Sequence, residues 1–274
     1  MSGQTKIEWC TAVWNPVTGC SKVSEGCRNC WACRLAATRL KNHPRYSGVA
    51  IYPDLRGVVP EWTGEVRTHP ELLDPVLRWR KCRRIFVCSQ ADLFHEQVSD
   101  EFIAQVRDVM VQAKRHIFLV LTKRPERMRD WVRKYWPVVD WNIWLGVSAE
   151  DQQTFDKRWK DVRPLAEDGW ITWASLEPLL GPIVLPNDYL RLARWTVTGG
   201  ESGPDARPAH PDWFESVVSQ CVSAKVPIFV KQLGGWPNKH GGDKAIVLGR
   251  TWHQFPEVHN AHICVLPEGK RSGG

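Results

Sequence analysis

From residue 84 onward, short apolar runs alternate along the chain with segments whose apolar residues recur at helical spacing. In the segment 100–115, Phe102, Val106 and Met110 fall on one face of a predicted helix. The apolar runs predict buried strands at 84–89, 117–121, 142–147, 170–175, 194–198 and 227–231, with a further strand near 11–17. Near-continuous apolar strands between amphipathic helices indicate a parallel sheet covered by helices.

This alternation predicts an α/β fold, and the simplest architecture is a partial or closed parallel (β/α) barrel of six to eight strands. Further helices are predicted over 31–42, 126–136, 153–165 and 211–225. Two regions break the alternation: 43–82 is irregular, with one short strand predicted at 64–69, and 236–274 is rich in loops. We interpret both as extensions of a single domain spanning 1–274, because neither carries its own alternating pattern.

Polar or charged residues follow each predicted strand. The carboxyl ends of parallel strands form the functional site in α/β folds, so these residues are expected to share one rim. They are Ser89, Asp92, Thr122, Lys123, Ser148, Glu150, Glu177, Glu201 and Lys231.

Composition indicates the kind of partner and the location of the protein. The 274 residues include 37 Lys and Arg against 30 Asp and Glu, a net charge of +7 that favours polyanionic partners such as nucleic acid. No run of about 18 apolar residues occurs, and the first residues lack the apolar core of a signal peptide. We therefore expect no membrane contact and a cytoplasmic location.

Cysteines cluster in the segment GCSKVSEGCRNCWAC, residues 19–33. Cys20, Cys27 and Cys30 follow the spacing C-x6-C-x2-C on a loop, where their thiolates can converge on one inorganic centre. Three ligands would leave one iron of a [4Fe–4S] cluster open, whereas four would complete it. A structural zinc with Cys33 or Cys10 as fourth ligand is the alternative, and unliganded cysteines are the third possibility.

Several longer segments carry a family resemblance. They are IEWCTAVWNPVTGCSKVSEGCRNCWA, RIFVCSQADLFHEQVSDEFI, LVLTKRPERM, WLGVSAED, SLEPLLGPI, VTGGESGPDARPAHPDW and PIFVKQLGGW. With them the chain resembles an uncharacterised phage-borne three-Cys-motif family that is similar to spore photoproduct lyase, within the radical SAM superfamily. The likeness covers nearly the whole chain. It implies a radical-SAM-like barrel and an enzyme that generates a 5′-deoxyadenosyl radical from S-adenosyl-L-methionine (SAM).

The resemblance also implies metal ligands. Cys20, Cys27 and Cys30 match the family's three-cysteine motif and would hold a [4Fe–4S] cluster. The chain departs from the superfamily's usual C-x3-C-x2-C spacing, and Cys33 and Cys10 are additional cysteines. If Cys33 bound the fourth iron, SAM could not bind it, and the protein would resemble an electron carrier.

The strand-end residues are predicted to bind SAM. Ser89 and Asp92 would hold its ammonium group, with Glu201 as the rival. Lys123 would hold its carboxylate, with Arg124 as the second candidate. Ser148 and Glu150 are predicted to bind the ribose hydroxyls of SAM, and Glu177 is predicted to bind ribose or substrate.

A basic run, RWRKCRR, lies at residues 78–84, and we expected it near the rim. Its cations are predicted to contact phosphates: Arg78, Arg80, Lys81, Arg83 and Arg84. The predicted function is action on DNA or RNA, in repair or base modification, with a target base unstacked into the barrel mouth and an external electron donor. The alternatives are a protein or small-molecule substrate, or a non-catalytic nucleic-acid-binding module with structural zinc.

Overall fold

The computed structural model describes residues 5–53 and 59–257. Its strands are β1 (Ala12–Trp14), β2 (Val17–Thr18), β3 (Ala50–Ile51), β4 (Glu61–Trp62), β5 (Arg67–Thr68), β6 (Arg84–Val87), β7 (Ile117–Thr122), β8 (Ile143–Ala149), β9 (Ile171–Leu176), β10 (Trp195–Gly199) and β11 (Ile228–Gln232). Its α-helices are α1 (Trp31–Ala37), α2 (Asp74–Leu77), α3 (Asp100–Gln112), α4 (Pro125–Tyr135), α5 (Gln152–Glu167), α6 (Asn187–Leu192) and α7 (Pro211–Ser223). Short 3₁₀ turns lie at Glu25–Cys27, Pro70–Leu72 and Gly242–Lys244.

Seven strands form one parallel sheet in the order β1-β6-β7-β8-β9-β10-β11. Between β6 and β11, helices α3, α4, α5 and α7 cross from strand to strand. The two edge strands, β1 and β11, do not pair with each other among the described residues, so the sheet is a half-barrel. The predicted α/β barrel of six to eight strands is confirmed, in its partial form.

Strand positions agree with the sequence-based expectation to within two residues for the six strands after residue 82. The prediction worked because both faces of these strands are buried, as in β8, where every residue is buried. The helix predicted over 31–42 is shorter, ending at Ala37. The chain then turns so that Tyr46 and Val49 pack back against α1.

Side chains alternate between two cores along the sheet. Outward residues such as Ile143 and Leu145 pack beneath the helices. Inward residues form a second, largely aromatic core that fills the half-barrel at the amino ends of the strands: Phe86, Leu119, Trp144, Trp173, Trp195 and Phe229. Trp9 inserts into this core, with its ring centroid 4.6 Å from that of Phe86 and 5.5 Å from that of Trp173. Above the aromatic core, a cavity opens toward the carboxyl ends of the strands.

The irregular region after α1 supplies two small antiparallel pairings. β3 pairs with β4, and β5 pairs with β2, which accounts for the short strand predicted at 64–69. Residues 54–58 and 258–274, parts of the two predicted extensions, lie outside the described residues. Within the described residues, no helix is both long and apolar enough to span a membrane.

Gly146 makes room for an aromatic ring inside the half-barrel. A Cβ atom at this position of β8 would lie 2.3 Å from the indole of Trp173, which is fully buried in the adjacent strand. Any side chain would therefore force the packed ring to move.

We expect Gly146→Ala to lower the free energy of unfolding by about 1–3 kcal/mol, the usual cost of overpacking a core. Urea denaturation monitored by circular dichroism measures the change. Gly181→Ala is the matched control, because position 181 is also buried but its Cβ would meet the nearest atom at an ordinary 3.6 Å. Equal stability of the two variants would contradict the packing argument.

Candidate cofactor site at the open end of the half-barrel

A cavity of about 210 Å³ opens at the carboxyl ends of the parallel strands. Its floor includes Trp9 and Phe86, the top of the aromatic core. Its wall is polar and carries side chains from successive strand ends: Ser89, Asp92, Lys123, Ser148, Ser175, Glu177, Glu201 and Lys231. The predicted gathering of strand-end residues at one rim is therefore present.

The cysteine loop, residues 19–30, closes one side of this cavity. It leaves β2 through Gly19, whose φ of +83° and close approach to the Glu65 carbonyl both require glycine. Cys20, Cys27 and Cys30 all line the cavity. Burial raises the pKa of the Cys20 thiol to about 12, and the nearby charges of Asp92 and the other two cysteines add to this effect.

The donor set of the loop fits an iron–sulfur cluster in donor type and number, since three thiols of one loop face a common cavity. The described ranges, 5–53 and 59–257, contain no group of three or more His, Cys, Asp or Glu side chains placed to hold a metal ion.

Neither of the two additional cysteines is among the described residues lining the cavity, although Cys30 packs against the apolar cluster that contains Cys33. Cys33 is fully buried in the small apolar cluster formed by α1, β3 and their neighbours, and it is not among the described residues that line the cavity. Cys10 is buried in the aromatic core, where its thiol contacts the carbonyl of Ile7 at 3.7 Å.

Three arginines tie the cysteine loop to the sheet, and Arg124 is the first. Its Nη2 donates to Ser21 Oγ at 2.7 Å, and its Nη1 lies 3.9 Å from Cys20 Sγ. The same guanidinium pairs with Asp92 at 3.3 Å. Burial alone would lower the pKa of Arg124, but the facing Asp92, Cys20 and Glu96 outweigh burial and raise it.

Arg158 is the second arginine, and its ion pair is the most deeply buried of the three. Its Nη1 lies 2.8 Å from Glu150 Oε2, with the side chains 7% and 0% exposed. Its Nη2 donates to Ser24 Oγ at 2.9 Å, and the amide of Gly26 donates to Glu150 at 3.3 Å. Both partners of the pair therefore hold the loop.

Arg207 is the third. It makes a two-pronged contact with Glu201, at 2.7 Å and 2.9 Å, and donates to the Glu25 carbonyl at 2.9 Å. Asn29 donates to the same Glu201 carboxylate at 2.9 Å. Burial would raise the pKa of Glu201, but these donors outweigh it and hold the pKa below its usual range.

Two of the predicted SAM contacts are already engaged with the protein. The carboxylate of Asp92 accepts from Thr122 Oγ1 at 2.7 Å and from the Lys123 amide at 3.1 Å, besides its pair with Arg124. Ser89 donates to Asn15 at 3.0 Å. Both line the cavity, but Asp92 has little acceptor capacity left for a ligand.

The opposite wall has freer groups. Lys123 Nζ donates to Ser148 Oγ at 2.6 Å and makes no ion pair among the described residues. Lys231 pairs with Glu177 at 2.8 Å, and Ser175 donates to the second oxygen of that carboxylate at 3.0 Å. This wall offers one unneutralised ammonium and one ion pair to a ligand.

Glu150 lies behind the cysteine loop and is not among the residues that line the cavity. Its carboxylate is fully buried and faces Arg158 and Gly26. Its position does not support the predicted contact with ribose.

The expected position of the basic run at 78–84 near the rim is wrong. The run leads into the amino end of β6, whereas the cavity lies at the carboxyl end. Arg83 stacks on Trp79, and Arg84 stacks on Phe255 with its guanidinium 3.7 Å from the ring centroid. Burial also lowers the pKa of Arg84 to about 10. The run's fully exposed cations are Arg78, Arg80 and Lys81.

Sequence reasoning missed the loop's arginine partners Arg158 and Arg207, and it named Lys231 only as a strand end. One signal was present: Arg158 follows Glu150 by eight residues, which is about two helical turns. Arg207 lies in an irregular loop after Glu201, so its direction could not be inferred from periodicity.

We expect Arg158→Met to cost about 3–5 kcal/mol of unfolding free energy, because it leaves the buried Glu150 carboxylate unpaired. Urea unfolding of the full chain measures the loss. The double variant Glu150→Gln with Arg158→Met should recover part of it, since no unpaired buried charge remains.

Arg163→Met on the same helix is the control for this experiment. Arg163 makes an ion pair with Glu167 in which both side chains are about half exposed, so its loss should cost under about 1 kcal/mol. If Arg158→Met were no more destabilising than Arg163→Met, the buried pair would not hold the loop.

Two solved structures of spore photoproduct lyase resemble this fold, each with a TM-score of 0.43. One, complexed with dinucleoside spore photoproduct, is 10% identical over 85% of this chain and 58% of that chain. The other, a mutant with bound AdoMet and dinucleoside spore photoproduct, is 11% identical over 85% of this chain and 59% of that chain. The chain thus spans less than two thirds of their length, and likeness at this level does not bear on its chemistry.

No curated protein matches the chain at a significant level. The sequence profile of one family, described as a protein of unknown function (DUF5131), matches residues 4–256. The match agrees with the resemblance to an uncharacterised family, whose phage origin and three-cysteine motif stay predictions. Because the profile covers most of its length, the chain belongs to the family DUF5131.

Proposed function

We propose that the chain is a radical SAM enzyme, in which Cys20, Cys27 and Cys30 hold a [4Fe–4S] cluster and strand-end residues hold SAM. When bound, and with one electron from an external donor, these cofactors would supply a 5′-deoxyadenosyl radical that abstracts hydrogen from a substrate. One observation carries the proposal: three thiols of one loop face a cavity at the polar carboxyl end of a parallel half-barrel.

The residues of the cavity would divide the work of binding. Lys123, which makes no ion pair among the described residues, suits the carboxylate of SAM. Ser89 and Ser148 offer hydroxyls, and Glu177 offers a carboxylate oxygen once Lys231 shifts or shares its charge. Asp92 and Glu201 act more through the loop than on SAM, because their carboxylates are already hydrogen-bonded to the protein.

The cysteine loop would stay in place during turnover because its contacts come from rigid strand ends and helices. Arg124 adds a positive charge beside Cys20, which would favour the thiolate form that binds iron. The aromatic floor of Trp9 and Phe86 keeps water from entering the cavity from below.

The proposed substrate class is nucleic acid, supported by the net charge of +7. The reaction would belong to DNA repair or base modification. A protein or small-molecule substrate is the alternative within the same chemistry.

After anaerobic reconstitution with iron and sulfide, we expect a brown protein that converts SAM to 5′-deoxyadenosine when reduced. Iron and sulfide analysis, the visible absorption spectrum and chromatography of the nucleoside product measure this. Cys27→Ala should lose both the cluster and the product, because only two of the three thiols would remain.

Cys33→Ala is the matched control, since Cys33 lies in the same segment but packs in an apolar cluster. It should keep iron and product near the level of the unmodified protein. Loss of the cluster in this variant would favour a four-cysteine electron carrier. A colourless protein with stoichiometric zinc and no iron would refute the proposal in favour of a zinc-binding module.

A further inference from the structure

The mouth of the cavity carries aromatic side chains that the proposed cofactor chemistry does not use. Trp31, the residue after Cys30, is 44% exposed and lines the cavity. Trp62 of β4 lines the cavity from the irregular region and is partly exposed. Val23 of the cysteine loop, also 44% exposed, completes this apolar edge. We call Val23, Trp31 and Trp62 the aromatic mouth.

Exposed tryptophan is unusual in this chain. Nearly all the other large aromatic side chains near the cavity are packed in the half-barrel core, such as Trp9, Trp173 and Trp195. Leaving an indole in water forgoes the free energy that its burial would contribute, so an exposed aromatic edge on a cavity marks a surface that a ligand covers. A planar ring is the group that an indole face stacks best.

The segment 20–45, which carries Val23 and Trp31, is basic in sequence. Residues 20–45 contain six Lys or Arg and one carboxylate, Glu25. Three of these cations pair with carboxylates, but Arg28, Arg39 and Lys41 are exposed, and their side chains make no ion pair or hydrogen bond within residues 5–53 and 59–257. Arg28 lies in the cysteine loop between Cys27 and Cys30, three residues before Trp31. Its exposed side chain offers a positive charge on the same segment that presents the Trp31 indole.

We propose that the aromatic mouth and Arg28 form a binding site for single-stranded nucleic acid, with a base stacked on Trp31 and a phosphate on Arg28. Stacking on indole combined with backbone contacts to cations is how proteins hold single strands without needing a base sequence. A stacked base would stand at the entrance to the cavity, next to the cysteine loop. The inference rests on the proposed function only for the fate of the bound strand, because binding itself needs no cofactor.

This site also gives the irregular region a role. The β3–β4 pair packs against α1 through the cluster that contains Cys33, and Trp62 of β4 lines the same cavity as Trp31. The predicted phosphate contacts are thus reassigned from the run at 78–84 to the segment 20–45, at the cavity end of the sheet.

The test is fluorescence anisotropy of a labelled single-stranded oligonucleotide with the full chain, at several salt concentrations. Trp31→Ala should weaken binding about tenfold, the scale of one lost base–aromatic contact. Trp31→Phe should keep most of the affinity, which separates lost stacking from a disturbed loop. Trp236→Ala should bind as tightly as the unmodified protein, because Trp236 is 63% exposed but is not among the described residues lining the cavity.

A second pair of variants locates the phosphate contact. Arg28→Ala should weaken binding and reduce the slope of log affinity against log salt by about 0.7, the contribution of one phosphate of a single strand. Arg80→Ala, in the run at the opposite end of the sheet, should leave both unchanged. A duplex of the same sequence should bind more weakly than the single strand, since its bases are already stacked.

Three results would overturn the inference. The first is that the Trp31→Ala and Trp62→Ala variants bind the oligonucleotide as tightly as the unmodified protein does, and the second is that the duplex binds as tightly as the single strand. The third is that the protein binds polyglutamate but not the oligonucleotide. The last would identify an acidic protein as the partner. A chain that makes 5′-deoxyadenosine but binds no oligonucleotide would leave the proposed function standing and refute this site. Tight oligonucleotide binding that depends on Trp31, in a protein that takes up no iron on reconstitution, would support this site and refute the proposed function.

Discussion

The cysteine loop is held by three arginine–carboxylate pairs, and the arrangement of the whole site depends on them. A loop that brings three thiols to one cavity is unfavourable by itself, because any thiolate charge is repelled by the others and by Asp92. Arg124, Arg158 and Arg207 each place a guanidinium between the loop and a carboxylate at a strand end. The charges of the sheet are thereby neutralised by the same groups that hydrogen-bond the loop.

The aromatic core sets where that site can be. Tryptophan and phenylalanine rings fill the half-barrel at the amino ends of the strands, and a cavity opens toward the carboxyl ends. The absence of a side chain at Gly146 is part of this packing, since the ring of Trp173 occupies the space. A cavity of limited depth follows, so a ligand must lie across the strand ends beneath the cysteine loop.

The fold was more predictable than the contacts within the site. Strands buried on both faces leave continuous apolar runs, and parallel strands bring their carboxyl ends to one edge whatever the loops do. The position of Asp92 in the cavity therefore follows from pattern alone, but its engagement with Thr122 and Arg124 does not. Glu150 had the same strand-end signal as Ser148, yet its carboxylate turns behind the loop toward Arg158. The direction of each side chain depends on its rotamer and on partners far away in sequence, and hydrophobic periodicity encodes neither.

The sequence separations of the three arginine contacts have a consequence for how the site is assembled. Arg124 is 104 residues from Cys20, Arg158 is 134 residues from Ser24, and Arg207 is 182 residues from Glu25. The loop precedes in sequence all three arginines that fix it, which come from the end of β7 through the segment after β10. Closing such long loops precedes any gain from the contacts they make. We therefore expect the cysteine loop to become ordered only after the strands that carry these arginines have assembled, so that any metal centre it holds would enter a sheet that has already formed.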